Sequence, residues 1–345
     1  MKRTKVLILF IFLVNIVTAQ LTITKVGELP IKVSNNAVCE GFIDSTPYLF
    51  SFAGIDSTKI YSGIHLKSFR YNIRTQKSIQ IPDLPDTRGK IACAANRIDH
   101  IIYISGGYHV FKDGHEVSSN KMHRYDIVNN IFLEDAAPIP VATDDHVQAV
   151  WNDKLIYIIS GWSSTENIPN VQIYNPKTEV WLSGTPTPNT SNYKSFGASG
   201  TIVGNTIYYF GGATSEKGFA IQNQLRIGKI NPNNPAEIKW SIIHTDFNGY
   251  RMACTQIDKE VHWLGGSNNT YNFNGIAYDK TGGVPTNNRD LTLLIPKVKF
   301  AESFVSEIPM DLRGLANIKP HLKYIAGGML ANQKVTGNIY KLEWK

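Results

Sequence analysis

The sequence predicts an all-β fold of six small antiparallel sheets closed into a ring, and three observations predict it. First, six apolar β-type runs end in Gly-Gly or a close variant: YLFSFAG at 48–54, IIYISGG at 101–107, LIYIISG at 155–161, TIYYFGG at 206–212, VHWLGG at 261–266 and KYIAGG at 323–328. Second, the final glycines lie 53, 54, 51, 54 and 62 residues apart, and a period of roughly 50 belongs to stacked or radial repeats. Third, no segment sustains a helical apolar period, and β-rich runs alternate with clusters of Asn, Pro, Gly and Ser. A chain of 345 residues has room for two average domains, but the regular repeat argues for one radial domain over 20–345.

Taken in order, residues 1–19 read as a secretory leader. Lys2, Arg3 and Lys5 form a basic start, 6–17 is almost wholly apolar, and Val17-Thr18-Ala19 offers small residues for cleavage before Gln20. That apolar run is too short to span a bilayer. The expectation is a secreted or periplasmic protein with no membrane span after cleavage.

Within the ring each unit parses into four antiparallel strands. In the second unit these are 90–95, 101–107, 122–126 and 130–133; in the third, 146–151, 155–161, 171–174 and 180–182. Tyrosine marks the third strand at Tyr71, Tyr125 and Tyr174, and again in AYD at Tyr278. Proline-bearing links, such as Leu84-Pro85 and Ile139-Pro140, stop pairing between units. The last unit has only three strands before Lys345, so the N-terminal strand at 23–29 is expected to complete it and remove the free sheet edges. The long interval before the last glycine pair places extra chain around 279–299, expected as a surface excursion or a lid.

This pattern resembles the kelch repeat, in which an apolar strand ending in Gly-Gly precedes a Tyr-Asp third strand and a Trp-bearing fourth, here Trp181 and Trp240. The resemblance implies a six-bladed kelch-type β-propeller. In blade number and leader the chain is also similar to the N-acetylneuraminate epimerase (sialic acid mutarotase) type. It is less similar to the seven-bladed galactose oxidase type, whose Tyr-Cys crosslink has no counterpart among Cys39, Cys93 and Cys254. No cofactor is expected.

Without the leader, 35 − 3 = 32 Lys and Arg face 28 Asp and Glu. The cations are scattered, so no nucleic-acid partner is expected. The upstream segments AVCEG, IACAA, VQAVW, FGASG, MACTQ and GLANI align the three cysteines with Ala149, Ala198 and Ala316, as small packing residues rather than disulfide partners. His109, His115, His123 and His146 match no metal-ligand spacing. A monomer is expected.

Function is expected where the inter-blade links and the loops after the glycine pairs meet at the central channel. The alignment gathers Asn36, Lys90, His146, Ser195, Arg251 and Arg313 into one polar ring, preceded by Asp145, Lys194 and Tyr250 and flanked by Arg88, Asp144, Tyr193 and Asp311. Cations there suit an anion. The following loops add Tyr108, His109 and Trp162, whose ring faces and polar groups suit a sugar or a peptide. The expected ligand is therefore a glycan, a small anionic sugar, or a protein on the loop face. The mutarotase resemblance implies instead an isomerase in which Arg88, Arg251 and Arg313 hold a carboxylate and Asp145 or His146 moves the anomeric proton.

Overall fold

The computed structural model describes residues 20–271 and 284–345, so the expected leader and Tyr278 lie outside the described residues. Six four-stranded antiparallel sheets form the blades, and no α-helix occurs among the described residues. Blade 1 is Ala37–Ile43, Thr46–Ile55, Ile64–Asn72 and Lys77–Ile81. Blade 2 is Ile91–Ile98, Ile101–Val110, Met122–Asp126 and Ile131–Phe132, with Glu116–Ser118 folding back on its second strand as a hairpin. Blades 3 and 4 run from Val147–Trp151 to Val180–Ser183 and from Ser199–Val203 to Asn234–His244.

In blade 5 the third strand is Arg289–Leu294 and the fourth Lys299–Phe304. The described part of the expected excursion, 284–299, therefore holds the third strand of the blade, while the AYD motif lies outside the described residues. The buried run Leu291 to Leu293, paired with Val261 to Trp263, gives that strand its apolar face.

Blade 6 holds Ala316–Lys319, Leu322–Ala326 and Asn338–Trp344, and its outer strand is the N-terminal Leu21–Glu28. Leu21 lies opposite Trp344 and Glu28 opposite Asn338, so the first strand closes the ring. The core lies between blades: Cys39, Phe50, Phe52, Cys93 and Tyr125 fill the gap between blades 1 and 2.

The glycine doublets have a conformational cause. Both residues of every doublet have positive φ, from Ala53 and Gly54 at 54° and 118° to Gly327 and Gly328 at 75° and 86°. The first position is ordinary left-handed backbone, which Ala53 and Ser160 tolerate. The second reaches 118° at Gly54 and 106° at Gly161, where only glycine is comfortable. A Cβ there would also sit 2.5–2.7 Å from the carbonyl oxygen of the incoming link: that of Ser34, Ile91, Asp144, Phe196, Tyr250 or Met310 in the six blades. The doublet is thus where each link crosses its own blade.

The cysteines do not share one register. Cys39 lies opposite Phe50, Cys93 opposite Gly106 and Cys254 opposite Trp263, because strand lengths and bulges differ between blades. All three are unbridged; Cys39 and Cys93 are buried, and Cys254 is partly exposed toward the channel.

Candidate functional site

The residue after each doublet pairs with a link residue: Ile55 with Ser34, Tyr108 with Ile91, Trp162 with Asp144, Ala213 with Phe196, Ser267 with Tyr250 and Met329 with Met310. The next link residue turns left-handed in every blade: Asn35, Ala92, Asp145, Gly197, Arg251 and Asp311. This is the true ring at the axis, and it corrects the expected one: Lys90, His146, Ser195 and Arg313 lie one or two residues to either side of it. A fixed offset from the small position misplaces it because the stretch from Asn35 to Gly54 is longer than that from Ala92 to Gly107.

Backbone hydrogen bonds run around this ring. Asp145 N–H donates to the Ala92 carbonyl at 3.2 Å, Gly197 to Asp145 at 2.8 Å, Arg251 to Gly197 at 2.9 Å and Leu312 to Arg251 at 3.1 Å. On the remaining side the Asn35 Oδ1 accepts from Ala92 N–H at 2.9 Å and from Arg313 Nε at 2.6 Å.

The ring's side chains form a buried ionic hub. Arg251 Nη2 donates to Asp145 Oδ2 at 2.7 Å and its Nη1 lies 3.3 Å from Asp311 Oδ1. Arg313 reaches Asp145 Oδ1 and stands 3.9 Å from Asp311. Ser34 Oγ donates to Asp311 Oδ2 at 2.6 Å. The Arg251 guanidinium also lies over the rings of Tyr250 and Tyr271, at 4.8 and 5.2 Å. Arg251 is 1% and Asp145 3% exposed.

Three carboxyl groups feel this hub differently. Burial alone would raise Asp145, but Arg251 and Arg313 outweigh it and hold the group below the usual carboxylate range. Burial, and then the charge on Asp145, push Asp144 well above that range; it accepts a 2.5 Å hydrogen bond from Ser118 Oγ. Glu116, half-buried on the blade 2 hairpin, is raised by burial to about 7, with Arg251 opposing and Asp145 adding to the shift. Sequence reasoning passed over Glu116; only the hairpin register, Val110 opposite Glu116, brings it to the axis.

A second network holds the link into blade 2. The buried Lys90 Nζ lies 2.9 Å from both Asp86 Oδ2 and His123 Nε2, Lys121 donates to Asp86 at 2.9 Å, and His123 Nδ1 lies 2.7 Å from Asp135. Other blades use the third strand likewise: Gln172 bonds the Val141 N–H and carbonyl, and Arg226 donates to the Asn192 carbonyl. Lys90 is therefore part of a strap.

Beyond the ring the first strands enclose a central cavity of 240 Å³. Its lining grows more exposed from Ala92 and Met252 at the ring to Asp153 and Asn317 at the far ends of the strands, so it opens on the face opposite the loops.

No family model matches the chain. Over 136 residues, 39% of this chain and 25% of the relative, it is 27% identical to Kelch-like protein 15 of Gallus gallus. Over 290 residues, 83% of this chain and 44% of the relative, it is 23% identical to Kelch-like protein 23 of Pongo abelii. A solved structure titled "Structure of YjhT" superposes with a TM-score of 0.70, covering 91% of this chain and 96% of that one at 14% identity. This chain is a six-bladed β-propeller whose sequence is similar to kelch-like proteins at low identity. It spans less than half the length of the curated relatives it matches, and at 14% identity the likeness to YjhT is one of fold.

In this propeller the expected site residues fall into separate places. Asp145, Arg251 and Arg313 meet in the hub, with Tyr250 beneath Arg251. His146 points away from Asp145 into the blade 2 interface, where its Nε2 lies 2.8 Å from Ser105 Oγ and burial lowers its pKa to about 4. Lys90 and His109 face Asp86, at 2.9 and 3.8 Å. Lys194 is ion-paired with Glu216. Arg88 is exposed and stacks on Phe111 at 4.2 Å. Tyr108 is buried in the apolar layer over the ring, and Trp162 packs edge-on against Phe196 at 5.6 Å beside the exposed Phe219. Among the described residues no cluster of His, Cys, Asp and Glu has a metal-binding arrangement, and no helix is long and apolar enough to cross a membrane.

Proposed function

We propose that this propeller acts outside the cytoplasm and binds a polar ligand of the carbohydrate class on its loop face, over the ionic hub. The observation that carries the reading is the convergence of Asp145, Arg251, Arg313 and Glu116 at the axis, brought there by three blades and a hairpin. Perturbed ionisable groups cluster at functional sites, and pockets on rigid scaffolds are where ligands bind. The guanidiniums are engaged by Asp145 and Asp311, so the hub offers hydrogen-bond direction more than net positive charge. Trp162 and Phe219 supply an aromatic face nearby on which a sugar ring can stack. Saturation-transfer NMR with N-acetylglucosamine and N-acetylneuraminate tests this: binding is expected, and Trp162→Ala should weaken it.

A second reading, a sugar mutarotase, is favoured by Glu116. Mutarotation takes a proton from the anomeric hydroxyl and gives one to the ring oxygen. A carboxyl near 7 holds and releases a proton equally well at neutral pH. Asp145, held ionised by two guanidiniums, is suited to orienting rather than transferring. Exchange NMR of sugar anomers tests it; no acceleration at high protein concentration leaves binding as the function.

A further inference from the structure

We infer that the central cavity on the face opposite the loops is a separate binding site for one small, uncharged, hydroxyl-rich molecule, a single sugar ring or polyol. The inner end of the cavity is lined by Ala92, Met252, Leu312 and Arg313, next to the backbone bonds between Ala92, Asp145, Gly197 and Arg251, and among the described residues Arg313 is the one hub side chain that reaches it. Its volume of 240 Å³ is below the roughly 300–1,000 Å³ of drug-sized pockets, which fits one ring and excludes an oligosaccharide.

The chemistry of the wall selects the ligand. Among the described residues the first strands of blades 2 to 6 are terminal strands of their sheets, and that of blade 1 pairs on its outer side only with Arg313–Gly314. A terminal strand presents alternating N–H and C=O groups along its outer edge; here that edge faces the axis, with the Ser199 and Met252 carbonyls and the Asn317 N–H already held by Trp263, Ser199 and Glu40 side chains. Small side chains at Ala94, Ser199, Gly200 and Cys254 leave this backbone within reach. A hydroxyl both donates and accepts, so it matches each successive group. A carboxylate only accepts and an ammonium only donates, so each leaves half the wall unmatched.

The charges agree. Along the cavity stand Glu40, Asp153 and Arg97, with Arg97 Nε 3.7 Å from Glu40 Oε1, while Arg313 is tied to Asp145 at the floor. The outer lining thus sets two carboxylates against one guanidinium, with Lys323 also facing Glu40, so it holds no excess of positive charge to draw an anion. The Asn96 Oδ1 is buried and has no hydrogen-bond partner among the described residues, an acceptor suited to a hydroxyl.

The test is saturation-transfer NMR on the full chain with glucose, glucuronate and glucosamine. Glucose should bind, with each charged analogue at least roughly tenfold weaker, about 1.4 kcal/mol. Ala94→Trp and Thr201→Trp, on different blades, should each abolish the glucose signal, with melting curves confirming that the fold is retained. Glucuronate binding as tight as glucose overturns the inference, as does a glucose signal that survives both fillings. A loop-face ligand that still binds the filled variants leaves the proposed function standing, so the two sites fail independently.

Discussion

Replacing Arg251 by Met removes the hub's central cation while keeping most of its volume. Asp145 Oδ2 loses a 2.7 Å partner and Asp311 Oδ1 one at 3.3 Å, both fully buried. Breaking a buried ion pair from one side costs about 3–5 kcal/mol, because the remaining charge stays desolvated. Arg313 still holds Asp145 Oδ1 and Ser34 still donates to Asp311, so the lower end, about 3 kcal/mol, is expected. Denaturant unfolding with an unchanged slope measures it. Asp145→Asn in the Arg251→Met background should cost far less than in the native chain, giving a coupling of about 2 kcal/mol in a double-mutant cycle. Arg251→Lys keeps the charge but loses the fork that spans both carboxylates, so it should rescue only in part. A loss below about 1 kcal/mol for Arg251→Met, or additive single effects, refutes the hub as a coupled unit.

Asn35→Ala should cost about 2–3 kcal/mol, since it removes the acceptor shared by Ala92 N–H and Arg313 Nε and places a less suited residue at φ 56°; Asn35→Asp, which keeps the oxygen, should cost less in the same unfolding assay. Deleting Leu21–Glu28 strips the outer strand from blade 6 and exposes the edge of Asn338–Trp344, so size-exclusion chromatography should show self-association. His146 titrates near 6.5 when unfolded and at about 4 when folded. The unfolded chain binds the extra proton, so stability falls as pH drops from 6.5 to 4, by up to about 3 kcal/mol; His146→Gln should flatten that part of a melting-temperature profile. Burial pushes the Cys93 thiol up to about 11 and the other two well above their usual value. A thiol reagent at pH 8 should therefore react slowly with the native protein and with three thiols after unfolding.

The ring was legible because its signal is steric and local. A doublet whose second residue sits at φ between 72° and 118° against a carbonyl cannot be replaced freely, so Gly54, Gly161 and their counterparts serve as markers. Closure by the N-terminal strand followed from strand counting, and the register of Leu21 with Trp344 agrees. The site was less legible because it depends on counting across turns whose lengths differ. Asp145, Arg251 and Arg313 were found, but Lys90 and His146 were placed at the axis although Asp86 and Ser105 draw them into blade interfaces. Glu116 carried no mark in the sequence, since its place at the axis comes from a hairpin that folds back over Tyr108 to Val110. Charge counting also overlooked pairing: Lys90, Lys194, Arg251 and Arg313 have carboxylate partners in Asp86, Glu216, Asp145 and Asp311, while Arg88 stacks on Phe111.

The central claim is that the loop face over the hub, rather than some other surface, is where this propeller meets its ligand. Saturation-transfer NMR with N-acetylglucosamine and N-acetylneuraminate, comparing the native chain with Glu116→Gln and Trp162→Ala, tests it most directly. The account predicts a bound sugar whose signal weakens at least roughly tenfold in each variant, about 1.4 kcal/mol. A signal of equal strength in both variants would contradict it.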